Sequence, residues 1–203
     1  MLQYKTIEPT TLELLKRIQS IPELNDTRLV GGTSLALQLG HRKSVDLDFF
    51  GHIDLPSFEL RSLLAQSFDI TVVNESRNIN IYNVENVKVD FVNYQYGWID
   101  ETVLENGIRL AGIKDIAAMK VAAIIGRGTK KDFIDLYFLL QHFSLQEILD
   151  LYMQKYPDGS LFIAMKSLAY FDDAESNPMP FMFENDSWND IKASIRIALK
   201  NLK

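Results

Sequence analysis

The sequence predicts an α/β (α+β) chain in which a sheet-rich half precedes a helical half, and three observations carry that reading. Short apolar runs with period-2 alternation, separated by turn residues, fill most of the stretch before residue 112. From Lys114 onward the apolar residues recur instead at helical spacing. At 203 residues and 47% hydrophobic content the chain can bury a real core, which excludes disorder and repeat arrays. The expected division is a sheet domain over 1–112 and a helical domain over 113–203.

Taken in order, Thr10 to Ile21 sets Leu12, Leu15, Ile18 and Ile21 at helical spacing behind a Pro9-Thr10 start. Thr27 to Val30 reads as a short strand running directly into Gly31-Gly32-Thr33-Ser34, after which LALQL reads as a helix ending near Gly40. Asp46 to Phe50 is a second strand and Pro56 to Ser67 a helix. Strands are expected at Asp69 to Asn74, Ile79 to Val84 and Val87 to Asn93, with one further strand within 102–112. Helices follow at 114–126, 131–143, 144–155, roughly 160–170 and 187–201.

No cysteine occurs, so disulfide scaffolds, thiolate zinc sites and thiol nucleophiles are excluded. The N-terminus lacks an apolar signal core, and no stretch approaches the ~20 apolar residues of a membrane helix. A soluble cytoplasmic protein with no membrane partner is the expectation. The net charge is −6, which argues against binding nucleic acid through bulk charge. That excess is local: residues 172–190 hold six acids and no Lys or Arg, so the rest of the chain is neutral. The acidic run is interleaved with Pro178, Pro180 and Phe181 to Phe183, the pattern of a loop or partner-binding segment.

Five features carry candidate chemistry. Gly31-Gly32-Thr33-Ser34, a strand-to-helix turn, exposes backbone N–H groups where phosphate binds well, the alternative being a tight turn capped by Thr33 or Ser34. Asp46 and Asp48 lie two apart in a strand, so both carboxylates share one face while Leu47 and Phe49 take the other. Such an acidic pair needs a cation or basic partner, and hard oxygen donors suit Mg²⁺ or Mn²⁺; the alternative is a solvent-facing edge strand. Asp90 lies opposite the apolar face of Val87, Val89 and Phe91, and joins the first two carboxylates if its strand is their neighbour. Lys120 and Arg127, seven apart, share a helix face. Asp132 and Asp135 sit near a helix start, where a favourable dipole interaction also explains them, while Lys130 and Lys131 read as site cations or solvated charges. His41, His52 and His142 lack zinc-site spacing.

The run Leu29-Val30-Gly31-Gly32-Thr33-Ser34-Leu35-Ala36-Leu37, followed by His41-Arg42-Lys43-Ser44-Val45-Asp46-Leu47-Asp48-Phe49-Phe50, resembles the signature of AbiEii/AbiGii-type nucleotidyltransferases, a branch of the DNA polymerase beta-like superfamily. Lys114 to Lys120 and Lys131 to Leu136 resemble that family's downstream motifs. The resemblance implies a nucleotidyltransferase fold, a mixed sheet flanked by helices, followed by a helical domain. It implies toxins of type IV toxin–antitoxin and abortive-infection systems, with a cognate antitoxin, Mg²⁺ (or Mn²⁺) as cofactor, and an NTP substrate (GTP, or CTP or UTP). The implied acceptor is RNA, with tRNA as the specific candidate. One departure is Gly32-Thr33 where the superfamily more usually has Gly-Ser; the hydroxyl is kept.

Carried onto this chain, the resemblance makes Asp46, Asp48 and Asp90 metal-binding and catalytic, with Lys120 and Asp132 also catalytic. Gly31, Gly32, Thr33, Ser34, Arg42, Lys120 and Arg127 become nucleotide-binding. Arg42 is expected to pair with the carboxylates or with phosphate, and Asp132 to orient Lys120 or the nucleotide. Two other readings stand beside it: a nucleotide- or partner-binding module without catalysis, and a small-molecule nucleotidyltransferase of the aminoglycoside-modifying type.

Overall fold

A computed structural model of the chain describes residues 1–202. Helix α1 (Pro9–Gln19) opens on proline, whose missing N–H costs nothing in a first turn, and buries Leu14, Leu15 and Ile18. Strand β1 (Thr27–Leu29) leads into α2 (Gly31–Leu39), which stops where Gly40 takes the left-handed conformation. Next come β2 (Leu47–Gly51), α3 (Ser57–Ala65), β3 (Ile70–Glu75), β4 (Ile79–Val84) and β5 (Val87–Asn93). The single strand expected within 102–112 is a hairpin of β6 (Val103–Glu105) and β7 (Ile108–Leu110). Asn106 and Gly107 both take positive φ, the geometry of a two-residue hairpin turn.

The helical half runs α4 (Ile113–Gly126), α5 (Lys130–Leu139), α6 (Leu145–Lys155) and α7 (Leu161–Leu168), then a short α8 (Asp172–Glu175) and α9 (Trp188–Lys200). Helix α8 falls in the acidic run and was not expected there; its carboxylates sit in a first turn, where the helix dipole favours them.

The seven strands form one mixed sheet in the order β3-β4-β5-β2-β1-β7-β6. Strand β1 pairs antiparallel with β2 and parallel with β7, and β2 pairs parallel with β5. Period-2 alternation sorts the two faces. Leu47 and Phe49 of β2 and Val89 and Phe91 of β5 join α1 and α3 in one core, where Phe49 and Phe91 stack with centroids 5.3 Å apart. A second core gathers Ile116 and Val121 of α4, Phe133 and Leu136 of α5 and Ile148 of α6, and takes in Val30 and Leu35 beside β1. The face of β2 and β5 that carries Asp48 and Asp90 thus looks onto α4, at the boundary between the two cores. Among the described residues no helix is long and apolar enough to cross a membrane.

Phe91 is fully buried at the centre of the sheet core. Phe91→Ala is expected to cost about 3–5 kcal/mol in urea unfolding, whereas Leu104→Ala, at an exposed edge position, stays within about 0.5 kcal/mol. Equal effects at the two positions would place the core elsewhere.

Candidate active site

The parallel register of β2 and β5 sets Asp48 directly beside Asp90. The conditional expectation from the sequence, that these strands are neighbours, is met. Asp46 lies just before β2, its backbone carbonyl accepting the Thr33 hydroxyl, and it lines a cleft together with Asp48. Lys88, two residues before Asp90 on the same strand, hydrogen-bonds Asp90 Oδ2 at 2.8 Å. Its ammonium also lies 2.7 Å from Oδ1, so the two oxygens of this carboxylate share one cation. Burial, and then the neighbouring Asp90 charge, push the Asp48 carboxyl up to about 6.

These observations test whether a divalent cation fits. The donors are hard oxygens, and the Asp48–Asp90 pair is short of positive charge, since burial and the Asp90 charge raise Asp48 despite the nearby cations. Among the described residues no three carboxylate or imidazole groups already converge as a metal cage. The donor set therefore fits the cation chemically without being assembled around one.

The glycines explain how the carboxylates approach α2. Gly31 has φ of 68°, and a Cβ there would fall on the Asp48 carboxylate, while a Cβ at Gly32 would fall on the Arg42 guanidinium. Helix α2 begins at Gly31 itself, with Val30 as N-cap and no side-chain cap, so neither Thr33 nor Ser34 caps it. Its first-turn N–H groups lie beside the cleft that Gly32 lines. The Thr33 and Ser34 side chains turn inward. Thr33 bonds Ser44 Oγ at 2.8 Å and the Asp46 carbonyl, and Ser34 Oγ accepts from Gln38. Thr33 thus holds the segment carrying Asp46, and what the motif leaves toward the cleft is backbone.

Opposite the carboxylates lies a buried ionic network centred on Asp135. Its carboxylate accepts from His41 Nε2 at 2.8 Å, from Arg42 Nε at 2.7 Å and NH2 at 2.9 Å, and meets Lys120 Nζ at 2.6 Å. Burial works against ionisation, but Arg42 and Lys120 outweigh it and hold Asp135 well below the usual carboxylate range. Lys120 Nζ also reaches Asp132 Oδ1 at 3.1 Å. Asp132 takes the Arg127 fork at 2.9 and 3.0 Å and the Thr129 hydroxyl at 2.6 Å, and these partners overcome burial to bring it down to about 2. Asp132 and Asp135 thus hold the Lys120 ammonium between them. Arg42 pairs with a carboxylate, that of Asp135.

Lys120, Arg42 and Arg127 still border the cleft with Gly32, Asp46 and Asp48, so the network aims spent cations at a shared space of about 340 Å³. Sequence reasoning missed His41, set aside for its spacing, and Lys88, whose signal was the i, i+2 step to Asp90. It also missed the reach of the acidic run. Asn177 and Pro178 line the same cleft, and Phe181 and Phe183 bond the backbone of Lys43 and His41 at 2.9 and 3.0 Å. Lys130 is not a solvated charge: its buried ammonium donates to the carbonyls of Glu175 and Asn177, tying that run down.

Comparison with known proteins accords with this geometry. Residues 13–201 match the family described as nucleotidyl transferase AbiEii toxin of type IV toxin–antitoxin systems. The chain is 38% identical over 168 residues to the uncharacterized protein aq_aa25 of Aquifex aeolicus, covering 80% of this chain and 82% of that one. JHP933 from Helicobacter pylori superposes with a TM-score of 0.62 at 20% identity, over 96% of this chain and 92% of the other. MenT4, a nucleotidyltransferase toxin from Mycobacterium tuberculosis, superposes at 0.60 and 17% identity, over 94% and 84%. At these identities the structural likenesses establish the fold, the mixed sheet flanked by helices expected from the sequence.

Two substitutions separate the opposed carboxylate groups. Asp135→Asn leaves Arg42 and Lys120 buried without a full counter-charge and is expected to cost about 3–5 kcal/mol in urea unfolding. Asp48 behaves in the opposite sense. Its folded pKa is raised, so the folded form binds more protons between about pH 4 and 6, and stability falls as pH rises through that window. Measured in EDTA, Asp48→Asn is expected to stabilise by about 1–2 kcal/mol at pH 7.5 and by nothing at pH 4. A gain of the same size at both pH values removes the electrostatic explanation.

Proposed function

We propose, since this chain belongs to the AbiEii family of nucleotidyltransferase toxins of type IV toxin–antitoxin systems, that it transfers a nucleoside monophosphate from an NTP to a hydroxyl of RNA, with the 3′ end of tRNA as acceptor. The observation that carries the reading is the register pairing of Asp48 with Asp90 beside a cleft whose facing wall is Lys120, Arg42 and Arg127. Acid on one wall and base on the other is the arrangement that in-line displacement at a phosphate requires.

In this reading the first-turn N–H groups of α2 at Gly31, Gly32 and Thr33 hold triphosphate oxygens, which the macrodipole assists. Asp46, Asp48 and Asp90 would hold Mg²⁺ (or Mn²⁺), which supplies charge neutralisation to the phosphate oxygens when bound. The acceptor hydroxyl oxygen bonds the α-phosphorus, the bond to the β-phosphate oxygen breaks, and pyrophosphate leaves. The hydroxyl proton passes to Asp90, the carboxylate beside Asp48 on the neighbouring strand. Lys120, held by Asp132 and Asp135 and therefore fixed in position, meets the charge growing on the leaving pyrophosphate, and Arg127 shares that task. Preorganisation of this kind costs no rearrangement at the moment of reaction. Family membership also implies a cognate antitoxin. Action in the cytoplasm, where NTP and RNA are both at hand, completes the proposal.

The test is incubation with each labelled NTP, Mg²⁺ and total RNA. One nucleotide is expected to label RNA with wild type and to fall to background with Asp48→Ala, Asp46→Ala or EDTA. Arg127→Ala, on an exposed side chain, is expected to slow the transfer on the order of 100-fold. Label entering a small molecule and no RNA discards the acceptor; equal background from wild type and Asp48→Ala discards the transfer. Induced expression is expected to arrest growth with wild type and not with Asp48→Ala.

A further inference from the structure

Beside the cleft between the carboxylates and the basic wall lies a second, larger cavity. It is a groove of about 650 Å³ where the C-terminal end of α4 meets α7, within the size range of ligand sites. It joins the cleft through Arg127, which lines both.

What lines the groove is unusual for surface exposed to water. Phe162 is 72% exposed and Tyr170 51% exposed. Just beneath, Phe133, Phe171 and Trp188 pack on one another, but among the described residues neither Phe162 nor Tyr170 stacks on any other ring. Two aromatic faces that line one groove are therefore left open to solvent. Phe162 lies in the first turn of α7 and Tyr170 just beyond its C-terminal end, so the two rings mark opposite ends of the helix along the groove. Lys166 lies between them in sequence and lines the same groove, and with Arg127 it outnumbers the single acid there, Asp173. Aromatic faces interleaved with cations suit a strand with stacked bases and a charged backbone, and an end laid there runs toward the cleft where phosphate chemistry is proposed.

We infer that this groove docks the single-stranded end of the RNA acceptor, with Phe162 and Tyr170 as stacking platforms and Lys166 as a phosphate contact. The inference rests on the nucleotidyl-transfer reading for the identity of its occupant. Stacking is indifferent to sequence, so the groove supplies affinity and direction more than base choice. Asp173 offers the one carboxylate acceptor, suited to an exocyclic amino group at its end of the groove.

Because the rings are exposed, Phe162→Ala and Tyr170→Ala are expected to fold normally. Fluorescence anisotropy with a short labelled single-stranded RNA is expected to show about tenfold weaker binding for each, and Phe58→Ala, equally exposed on α3, is expected to leave binding as in wild type. Lys166→Ala is expected to lower the slope of log affinity against log salt by about 0.7. In the transfer assay the KM for RNA is expected to rise about tenfold with Phe162→Ala, while the KM for NTP changes by less than about twofold. Unchanged RNA affinity in both aromatic variants overturns the inference, as does a wild type that binds no RNA or that labels a protein instead. The two readings fail separately. RNA labelling that persists undiminished in Phe162→Ala and Tyr170→Ala leaves transfer standing and removes the groove. RNA bound through the two rings without any transfer keeps the groove and removes the chemistry.

Discussion

The buried carboxylate of Asp135 is the constraint from which the rest of the site follows. An ionised group with no exposure to water is costly unless its partners repay the lost hydration, and here the group and its partners come from three separate stretches of chain. His41 and Arg42 arrive from the loop before β2, Lys120 from α4, and Asp135 itself from α5. Remove Asp135 and two buried cations lose their shared counter-charge, so the geometry that satisfies them all is sharply defined. That geometry sets the loop leading to Asp46 against the helical half and fixes Lys120 at the cleft.

The two acidic groups divide the electrostatic work. Asp132 and Asp135 have cations in excess and are held low, so they stabilise the fold above the ordinary carboxylate range and lose that contribution as pH falls toward 2. Asp48 and Asp90 have each other, Lys120 and Lys88 offset Asp48 only in part, and burial with the Asp90 charge pushes it up. One pair is satisfied within the chain and the other is left short of positive charge. Carboxylates whose environments drive their pKa values apart mark the division between holding a site and using it.

The fold was legible where periodicity carries it: the strands of the sheet and the long helices fall within a few residues of where alternation and helical spacing put them. The exceptions have local causes. A two-residue turn at Asn106-Gly107 splits one expected strand, and α2 starts four residues early, at Gly31, which takes a positive φ. The acidic motif and the Gly-Gly step were legible too, since each follows from spacing within one element. What could not be read was any pairing across elements. Nothing in the chain order of Arg42 and Asp135, 93 residues apart, announces a bidentate bond, and the inward turn of the Thr33 hydroxyl depends on where Ser44 and Asp46 lie in space.

The charge of −6 is the clearest case of a sum that misleads. The acidic run holding its excess lies beside the site, with Asn177 and Pro178 in the cleft, so distance does not explain why phosphate would tolerate it. Partner choice does. Glu175 is bonded by Lys192 and Trp188, Asp186 by the Tyr137 hydroxyl, and Asp190 caps α9, so these acids are turned to structural use. What the run presents to the cleft is an amide and a proline, both uncharged, held there by Lys130. A segment can therefore be acidic in composition and neutral on the face that matters, and Coulomb interactions within a few ångströms outweigh a net charge summed over the whole chain.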